Sequence, residues 1–261
     1  MSDKHMSLEV ADGVGLITLN RPDEGNPVVH GMVEELLDKA IVCDEDPAIR
    51  AVVLTGKGRM FCVGGGLKDF AEQGDNITRH LKLVTQLFHG AISKFNRMAP
   101  PVIAAINGTA AGGGLSLALT TDLAISAESA KFTMAYTNAG LAPDGSSSFY
   151  LAKMIGMRRA KEMALLNTVL TAEQALDWGL INRVVPDDEL MSSAMAMARK
   201  LAQGSLTAYG ETKRLMLAGA TESLETQMEL EGRAISSLAG SPDGREGVGA
   251  FIDKRKPEFR D

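Results

Sequence analysis

The stretch Asn107-Gly-Thr-Ala-Ala-Gly-Gly-Gly-Leu-Ser-Leu117 governs how the rest of the chain is interpreted. The apolar run Val102–Ile106 before it is short and partly β-branched, which predicts a buried strand. The apolar run Leu115–Leu119 after it predicts the start of a helix. Glycines at such a corner let a ligand approach the backbone without meeting a Cβ atom. The first N–H groups of a helix lack internal partners and carry partial positive charge. The corner is therefore either a tight packing turn or a site for a phosphate or for a carbonyl oxygen that becomes negative.

A second triple glycine repeats this pattern earlier in the chain. Gly64–Gly66 follows the apolar residues Phe61–Val63, just as Gly112–Gly114 follows apolar residues. Two such corners in one fold could direct two backbone N–H groups at a single oxygen atom, which is how many enzymes stabilise a developing negative charge.

The composition argues against several classes of protein. The 261 residues, 45% of them hydrophobic, suffice for one large core. A net charge of −6 and a pI near 5.4 disfavour partners such as nucleic acid or a membrane surface. The polar residues 1–5 lack an apolar signal core, which predicts a cytoplasmic protein. Cys43 and Cys62 match no metal spacing, so we expect buried free thiols and no metal site.

Hydrophobic periodicity predicts strands that alternate with helices, followed by helices alone. We expect a hairpin around Asp12-Gly13, and then helices near residues 32–42 and 77–98 and strands near residues 51–54, 122–125 and 131–134. From Ser148 onward the pattern is almost wholly helical, with breaks near Gly156, Thr168, Gly179, Gly204, Ala220 and Gly240, and with one short strand at Val184-Val185. Such an order predicts a layered α/β core with a helical C-terminal part. The uncharged run 98–121 could span a bilayer by length, but its glycines and prolines favour a buried strand, turn and helix.

One carboxylate stands out once the common catalytic motifs have been searched. The sequence contains no phosphate loop, no dinucleotide fingerprint after the first strand, no His-Glu-x-x-His and no Gly-x-Ser-x-Gly. Asp144 lies in Leu141-Ala-Pro-Asp-Gly-Ser146, where it could cap the next helix or form an Asx-turn. Its neighbours are mostly small or apolar, so a bound ligand would desolvate the carboxylate and make it a usable base. Ser146–Ser148 could also cap that helix.

Both glycine corners belong to motifs that resemble the crotonase (enoyl-CoA hydratase/isomerase) superfamily. The motifs are Ala104-Ala-Ile-Asn-Gly-Thr-Ala-Ala-Gly-Gly-Gly-Leu115 and Arg59-Met-Phe-Cys-Val-Gly-Gly-Gly-Leu-Lys-Asp-Phe70. Further matching segments cover nearly the whole chain: residues 19–22, 122–125, 172–185 and 251–259. The resemblance implies an α/β fold, with a crotonase-like spiral of ββα units in residues 1–200 and a helical C-terminal trimerisation region in residues 201–261. It also implies an acyl-CoA substrate, no cofactor apart from the coenzyme A of that substrate, and a homotrimer or a dimer of trimers.

The same resemblance assigns roles to particular residues. Gly65 and Gly113 supply the two N–H donors of an oxyanion hole for the thioester oxygen. Asp144 and His89 are the candidate catalytic side chains, and the alternative interpretation of His89 is a helix histidine at the edge of a pocket. The implied substrate-binding residues are Gly66, Leu67, Gly112, Tyr136, Phe251 and Lys254.

Two departures from the family pattern bear on the reaction. The hydratases of the superfamily use two glutamates, and this chain has Ser116 and Tyr136 at those positions. Since adding water needs a group that activates the water and a group that manages the proton, these residues argue against ordinary hydratase activity. Asp144 instead resembles the carboxylate of some isomerases of the superfamily, among them the dienoyl-CoA isomerases and the ring-epoxide isomerases, and one carboxylate suffices to move a double bond.

The sequence is also compatible with two functions besides isomerisation. Asp144, His89, residues 156–160 and residues 177–179 also resemble the 4-chlorobenzoyl-CoA dehalogenases, in which the aspartate attacks the aromatic ring and the histidine activates water. The first of these functions is therefore dehalogenase-like hydrolysis, and the second is that of a CoA-binding scaffold with little activity.

Two changes of charge also distinguish this chain from the family pattern. Gly66 replaces a family aspartate and is expected to enlarge the acyl pocket. Glu24 replaces a basic residue that approaches the CoA nucleotide, and Lys254 and Lys256 of a neighbouring subunit could supply that positive charge. Alternatively, these two lysines belong to a solvated basic run at the C-terminus.

Overall fold

A computed structural model describes residues 4–260, and it begins with a β-hairpin. Strands β1 (Met6–Ala11) and β2 (Val14–Leu19) pair antiparallel around Asp12-Gly13, as the sequence predicts. Asp12 and Gly13 have φ values of 53° and 77°. Aspartate and glycine tolerate this left-handed backbone better than most residues, which explains why the chain turns here.

The first half of the chain alternates strands and helices. These elements are α1 (His30–Glu45), β3 (Ala51–Gly56), β4 (Met60–Cys62), α2 (Leu67–Glu72), α3 (Ile77–Arg97), β5 (Val102–Ile106), β6 (Thr109–Ala111), α4 (Gly113–Leu119), β7 (Leu123–Ala127) and β8 (Lys131–Thr133).

The second half is mainly helical. Its elements are α5 (Ser147–Ile155), α6 (Met157–Leu166), β9 (Leu170–Thr171), α7 (Ala172–Asp177), β10 (Arg183–Val185), α8 (Leu190–Leu201), α9 (Leu206–Ala218), α10 (Leu224–Gly240) and α11 (Pro242–Ile252). Elements end or begin close to each of the breaks that the sequence predicts. Helices α9 to α11 lie after residue 200, and the proposed domain boundary at that point stays a prediction.

The chain alternates between two sheets and adds one strand to each sheet per turn, which is the predicted spiral of ββα units. One sheet has the order β1-β2-β3-β5-β7-β10 and the other has the order β4-β6-β8-β9. The chain passes from the first sheet to the second three times, from β3 to β4, from β5 to β6 and from β7 to β8, and each ββ pair is followed by helix. Successive turns stack in parallel, so equivalent corners from successive turns come to lie side by side.

The central strands are buried on both faces, which explains their continuous apolar sequences. In β3, Val52 and Leu54 belong to the main core together with residues of α1 and α3. Ala51 and Val53 point the other way and pack with residues of α8 in a second cluster. This alternation is the period-2 pattern of a strand, and it places a helical layer on each side of the sheet.

Several details differ from the sequence prediction. The strand that leads into the glycine corner at residue 112 is β6 rather than β5, because the chain turns at Asn107-Gly108 and enters the second sheet first. Ser146 occupies the N-cap position of α5, but its φ of 66° is left-handed and its side chain makes no capping hydrogen bond. The expected cap at residues 146–148 is therefore wrong at Ser146. The sequence pattern does not predict helix α2 or strand β9.

The uncharged run 98–121 does not form a continuous helix, since β5, β6 and α4 divide it. Over residues 4–260, every helix is too short or too polar to cross a membrane. Both cysteines are buried free thiols, as expected, and burial raises the pKa of Cys43 and of Cys62 to about 12.

Candidate active site

The two glycine corners touch each other because β4 and β6, the strands that lead into them, are neighbours in the second sheet. A Cβ atom at Gly64 would lie 2.7 Å from the carbonyl oxygen of Ala111 and 3.0 Å from the amide nitrogen of Gly113. Gly64 also has a φ of 91°, a left-handed value that favours glycine. Only a residue without a side chain lets the two backbones come this close.

The N–H groups of Gly65 and Gly113, one from each corner, have no partner among the described hydrogen bonds. Among the hydrogen bonds of residues 4–260, none is donated by the N–H of Gly65 or of Gly113, whereas Gly66 N donates to Val28 O at 3.0 Å and Gly112 N donates to Thr133 O at 3.1 Å. Gly113 is the first residue of α4, so its N–H lacks a partner within the helix. Both unpaired groups line one cavity, where they could hold an oxygen that becomes negative.

That cavity has a volume of about 380 Å³ and an apolar lining. Helix α2 contributes Leu67 and Phe70, and helix α3 contributes Leu81, Val84 and Phe88. Among the described residues that line the cavity, Asp144 is the single carboxylate. An apolar pocket with few polar groups is the usual form of a small-molecule site.

The carboxylate of Asp144 pairs with His89. Asp144 Oδ1 lies 2.7 Å from His89 Nε2, and the side chains are 34% and 50% exposed. His89 lies on α3 and Asp144 lies in the loop before α5, so the contact joins residues 55 positions apart. Among the described hydrogen bonds the carboxylate of Asp144 makes this one alone, so it serves neither as a helix cap nor in an Asx-turn.

Ser116 and Tyr136 lie beside Asp144 and form a hydroxyl pair. Ser116 Oγ is 2.9 Å from Tyr136 OH, and Ser116 is completely buried behind the cavity wall. Burial raises the pKa of Tyr136 to about 12, because the phenolate would lose its solvation. The tyrosine is therefore neutral at physiological pH, and neither side chain supplies a carboxylate.

The remaining predicted residues divide into two groups. Leu67, Gly112 and Tyr136 line the cavity, as expected of substrate contacts. Phe251, which is 86% exposed, and Lys254 lie outside the cavity of their own chain. Their role in substrate binding stays a prediction, which for Lys254 concerns a neighbouring subunit.

Gly66 does not enlarge the cavity. A Cβ atom there would lie 2.5 Å from Cγ1 of Val29, so the glycine makes room for Val29 and lies outside the cavity lining. The expected gain of acyl-pocket space at Gly66 is therefore wrong. Glu24, in the loop that follows β2, forms an ion pair with Arg21. This pairing offsets part of the negative charge of Glu24.

Sequence reasoning missed most of the apolar cavity wall. Leu81, Val84 and Phe88 follow helical spacing, but such spacing is equally typical of core packing. Ala135 also lines the cavity and has a φ of 53°, which leaves no trace in the sequence. Among residues 4–260, no group of three or more His, Cys, Asp or Glu side chains could hold a metal ion.

Comparison with known proteins agrees with this geometry. The family model described as enoyl-CoA hydratase/isomerase matches residues 9–261. The chain is 40% identical to 1,2-epoxyphenylacetyl-CoA isomerase from Escherichia coli, with 96% of each chain covered. It is 35% identical to 4-chlorobenzoyl coenzyme A dehalogenase-1 from an Arthrobacter species, covering 97% of this chain and 92% of that protein.

Solved structures give the same result at the level of the fold. The crystal structure of an enoyl-CoA hydratase from Bacillus anthracis superposes with a TM-score of 0.92 at 32% identity, over 98% of this chain and 99% of that one. The stacked ββ turns and the paired glycine corners accompany a family match over nearly the whole length. This chain therefore belongs to the enoyl-CoA hydratase/isomerase family of the crotonase superfamily.

Proposed function

We propose that this protein is an acyl-CoA isomerase in which Asp144 moves a proton between two carbons of the acyl group. The observation that carries the proposal is that Asp144 is the single carboxylate among the described residues of a cavity that also presents the unpaired N–H groups of Gly65 and Gly113. Moving a double bond requires one base that takes a proton and returns it elsewhere, so one carboxylate is sufficient.

The steps for a 3-enoyl thioester balance without any further reactant. Asp144 takes a proton from C2, and the electron pair of that C–H bond forms a C1=C2 bond while the thioester oxygen becomes negative. The N–H groups of Gly65 and Gly113 donate to this oxygen. The carbonyl then reforms, the double bond moves to C2=C3, and C4 takes the proton back from Asp144. Removing one such donor costs about 3–4 kcal/mol of transition-state stabilisation in other enzymes.

His89 supports this role for Asp144. With its proton on Nε2, the imidazole donates to Oδ1 and leaves Oδ2 free to face the substrate. The carboxylate is then held in one orientation while it exchanges its proton, which favours transfer between neighbouring carbons of one bound substrate.

Water addition is less well supported by this site. It needs two acid–base groups on the substrate, but Ser116 is buried behind the wall and Tyr136 holds its proton up to about pH 12. Relatives named as hydratases share the fold, so the reaction must be decided by assay rather than by family membership.

The test is to incubate the purified protein with 3-enoyl-CoA and to follow the appearance of 2-enoyl-CoA. We expect turnover by the wild type and a loss of at least about a hundredfold in Asp144→Asn, because the amide cannot act as a base. Asp188→Asn serves as the control and should retain full activity, because the carboxylate of Asp188 is exposed and lies outside the cavity lining. Undiminished turnover by Asp144→Asn would exclude Asp144 as the base. Stabilisation by CoA without turnover of any acyl-CoA would point instead to a binding scaffold.

A second candidate function is hydrolytic dehalogenation, and the contact between His89 and Asp144 favours it. In that reaction Asp144 attacks a ring carbon of a haloaryl-CoA, halide leaves, and water activated by His89 attacks the aspartyl carbonyl to release hydroxyaryl-CoA. The similarity to the Arthrobacter dehalogenase adds weight. Intact-mass measurement of the protein after a single turnover with a haloaryl-CoA decides the matter, since only this reaction leaves an aryl adduct on Asp144.

We further propose assembly as a homotrimer or a dimer of trimers and a cytoplasmic location. Large apolar side chains are exposed on α10 and α11, at Ile235, Val248, Phe251 and Ile252, with exposures of 58–86%. Exposed apolar groups of this kind mark association surfaces. Light scattering coupled to size-exclusion chromatography should give a mass of three or six chains of 27.7 kDa.

A further inference from the structure

The backbone carbonyl of Asp144 is held by two buried serine hydroxyls. Ser116 Oγ donates to Asp144 O at 2.7 Å, and Ser147 Oγ donates to the same oxygen at 2.8 Å. Both serines are 0% exposed. A carbonyl oxygen has two lone pairs, and these two hydroxyls make its shortest described contacts, while the backbone N–H of Ser147 donates from 3.3 Å.

Tyr136 completes this arrangement through Ser116. A serine hydroxyl has a single proton, and Ser116 Oγ lies 2.7 Å from Asp144 O and 3.2 Å from Gly112 O, so the shorter contact assigns that proton to Asp144. The 2.9 Å contact between Ser116 and Tyr136 then uses the phenol proton. The high pKa of Tyr136, about 12 because of burial, keeps that proton in place. The result is a chain of hydrogen bonds from Tyr136 to Ser116 to the Asp144 carbonyl. Tyr136 OH is also 3.2 Å from that carbonyl oxygen, a longer direct contact.

The loop that follows Asp144 needs such support. Gly145 and Ser146 have φ values of 61° and 66°, so two consecutive residues adopt the left-handed backbone. For a serine this conformation is strained, and such strain persists only where surrounding contacts fix it. A Cβ atom at Gly145 would lie 2.5 Å from Phe88 and 2.9 Å from Cβ of Ser116, so the loop is pressed directly against Ser116 and α3.

We propose that Ser116 and Tyr136 are positioning residues that fix the main chain of Asp144 and so hold its carboxylate at the cavity and against His89. The expected effect on kcat rests on the proposed isomerase reaction. The expected effect on the conformation of the loop can be measured in the free protein, without any substrate. In the absence of these hydroxyls the strained loop relaxes, the carboxylate loses its alignment, and the apolar lining that binds the acyl group stays in place.

The kinetic test compares Ser116→Ala, Tyr136→Phe and the double variant. We expect kcat of Ser116→Ala to fall about tenfold to a hundredfold, since small misplacements of a catalytic group have effects of this size, while KM changes little. Because both hydroxyls belong to one hydrogen-bond network, the two losses should be coupled. The double variant should differ from the product of the single losses by at least about twofold.

Ser126→Ala is the matched control. Ser126 is also 0% exposed and its hydroxyl also donates to a backbone carbonyl, that of Ala127, but it lies on β7 outside the cavity lining. This variant should retain wild-type kcat, and combining it with Tyr136→Phe should simply multiply the two effects. An equal loss of kcat in Ser126→Ala and Ser116→Ala, or losses in Ser116→Ala and Tyr136→Phe that multiply, would overturn the proposal.

A second measurement separates the positioning role from the reaction itself. Amide hydrogen exchange of residues 144–147 in the free protein should accelerate in Ser116→Ala and should not change in Ser126→Ala. Failure of the wild type to turn over any acyl-CoA would refute the proposed function, while accelerated exchange would still support the positioning role. Unchanged exchange in Ser116→Ala would refute the positioning role even in an active isomerase.

Discussion

A Cβ atom at Gly114 would lie 2.1 Å from the carbonyl oxygen of Cys62 and 2.7 Å from its carbonyl carbon. Backbone atoms of a buried strand cannot move aside, so any side chain at Gly114 separates the two glycine corners. At Gly113 the nearest atom to a Cβ would be Cγ2 of Val28, at 3.2 Å, and a methyl group can shift by that small amount. Neighbouring glycines of one motif therefore tolerate substitution very differently.

We predict that Gly114→Ala lowers the free energy of unfolding by about 3 kcal/mol or more, at the upper end of overpacking effects. Gly113→Ala should cost about 1 kcal/mol and should retain its unpaired N–H. Urea unfolding followed by circular dichroism measures both values. Equal costs for the two variants would show that the close approach at Gly114 is not what fixes the corner.

Helix α1 anchors the first strand through one carboxylate. Glu35 accepts from the backbone N–H groups of His5 and Met6 at 3.0 and 3.1 Å, and it pairs with the His5 ring at 2.9 Å. Burial alone would raise the pKa of Glu35, but the hydrogen bonds from His5 and Met6 together lower it below 4.5. A carboxyl with a lowered folded pKa stabilises the fold above the unfolded pKa, and this contribution disappears as the pH falls through the folded value.

Glu35→Gln should therefore lower the free energy of unfolding by about 1–3 kcal/mol at pH 7, as expected for a lost charge-assisted hydrogen bond. The difference from the wild type should shrink as the pH falls below 4.5, where the wild-type carboxylate itself becomes protonated. Urea titrations at several pH values measure this. Glu34→Gln, the exposed neighbour that pairs with His30, is the control and should change stability little. A difference that persists undiminished at low pH would contradict the assigned role of the charge.

Helix α3 lines one side of the cavity with Leu81, Val84 and Phe88. Leu81 and His89 are eight residues apart on this helix, which places them about 12 Å apart along its axis. Since His89 contacts Asp144, Leu81 lies at the far end of the wall from the proposed base. An acyl chain whose C2 lies beside Asp144 therefore contacts Leu81 only if it extends about 12 Å from the proposed base.

We predict that Leu81→Phe selectively lowers kcat/KM for long-chain acyl-CoA substrates and leaves short-chain ones nearly unaffected. The added ring shortens the cavity only at its distant end. Leu83→Phe is the control, because Leu83 is 43% exposed, lies outside the cavity lining and should have no such effect. A loss in Leu81→Phe that is equal for all chain lengths would mean that this end of the cavity does not hold the acyl chain.

The sequence predicts the architecture of the whole molecule better than its side-chain contacts. Both glycine corners are evident because no other residue type allows two backbones to approach so closely, and the stacked turns follow from the alternation of short strands and helices. The sequence does not predict strand β6, because Thr109-Ala-Ala111 has little intrinsic β propensity and forms a strand through its pairing with neighbouring strands. The pairing of Asp144 with His89 and the hydroxyls of Ser116 and Ser147 on the Asp144 carbonyl depend on the folded loop, and no sequence spacing signals them.

At the scale of the assembly, the C-terminal end of α11 carries exposed residues that could contact the active site of a neighbouring subunit. Phe251 and Lys254 lie outside the cavity of their own chain, and an apolar ring that is 86% exposed gains stability when another surface covers it. If these residues complete the site of a neighbouring subunit, one site is built from two chains. Defects in the two parts should then complement each other in mixed oligomers.

We predict that Asp144→Asn and the double variant Phe251→Ala/Lys254→Ala, each poorly active alone, regain activity when they are unfolded together and refolded. In a mixed oligomer some sites combine an intact Asp144 from one chain with an intact Phe251 and Lys254 from its neighbour. About a quarter of the sites should do so after random assembly of equal amounts, since each intact half is present with a probability of about one half. Each variant refolded alone is the control, and kcat per site in the mixture measures the recovery. Activity that stays at the average of the two separate variants would show that each site is built from a single chain.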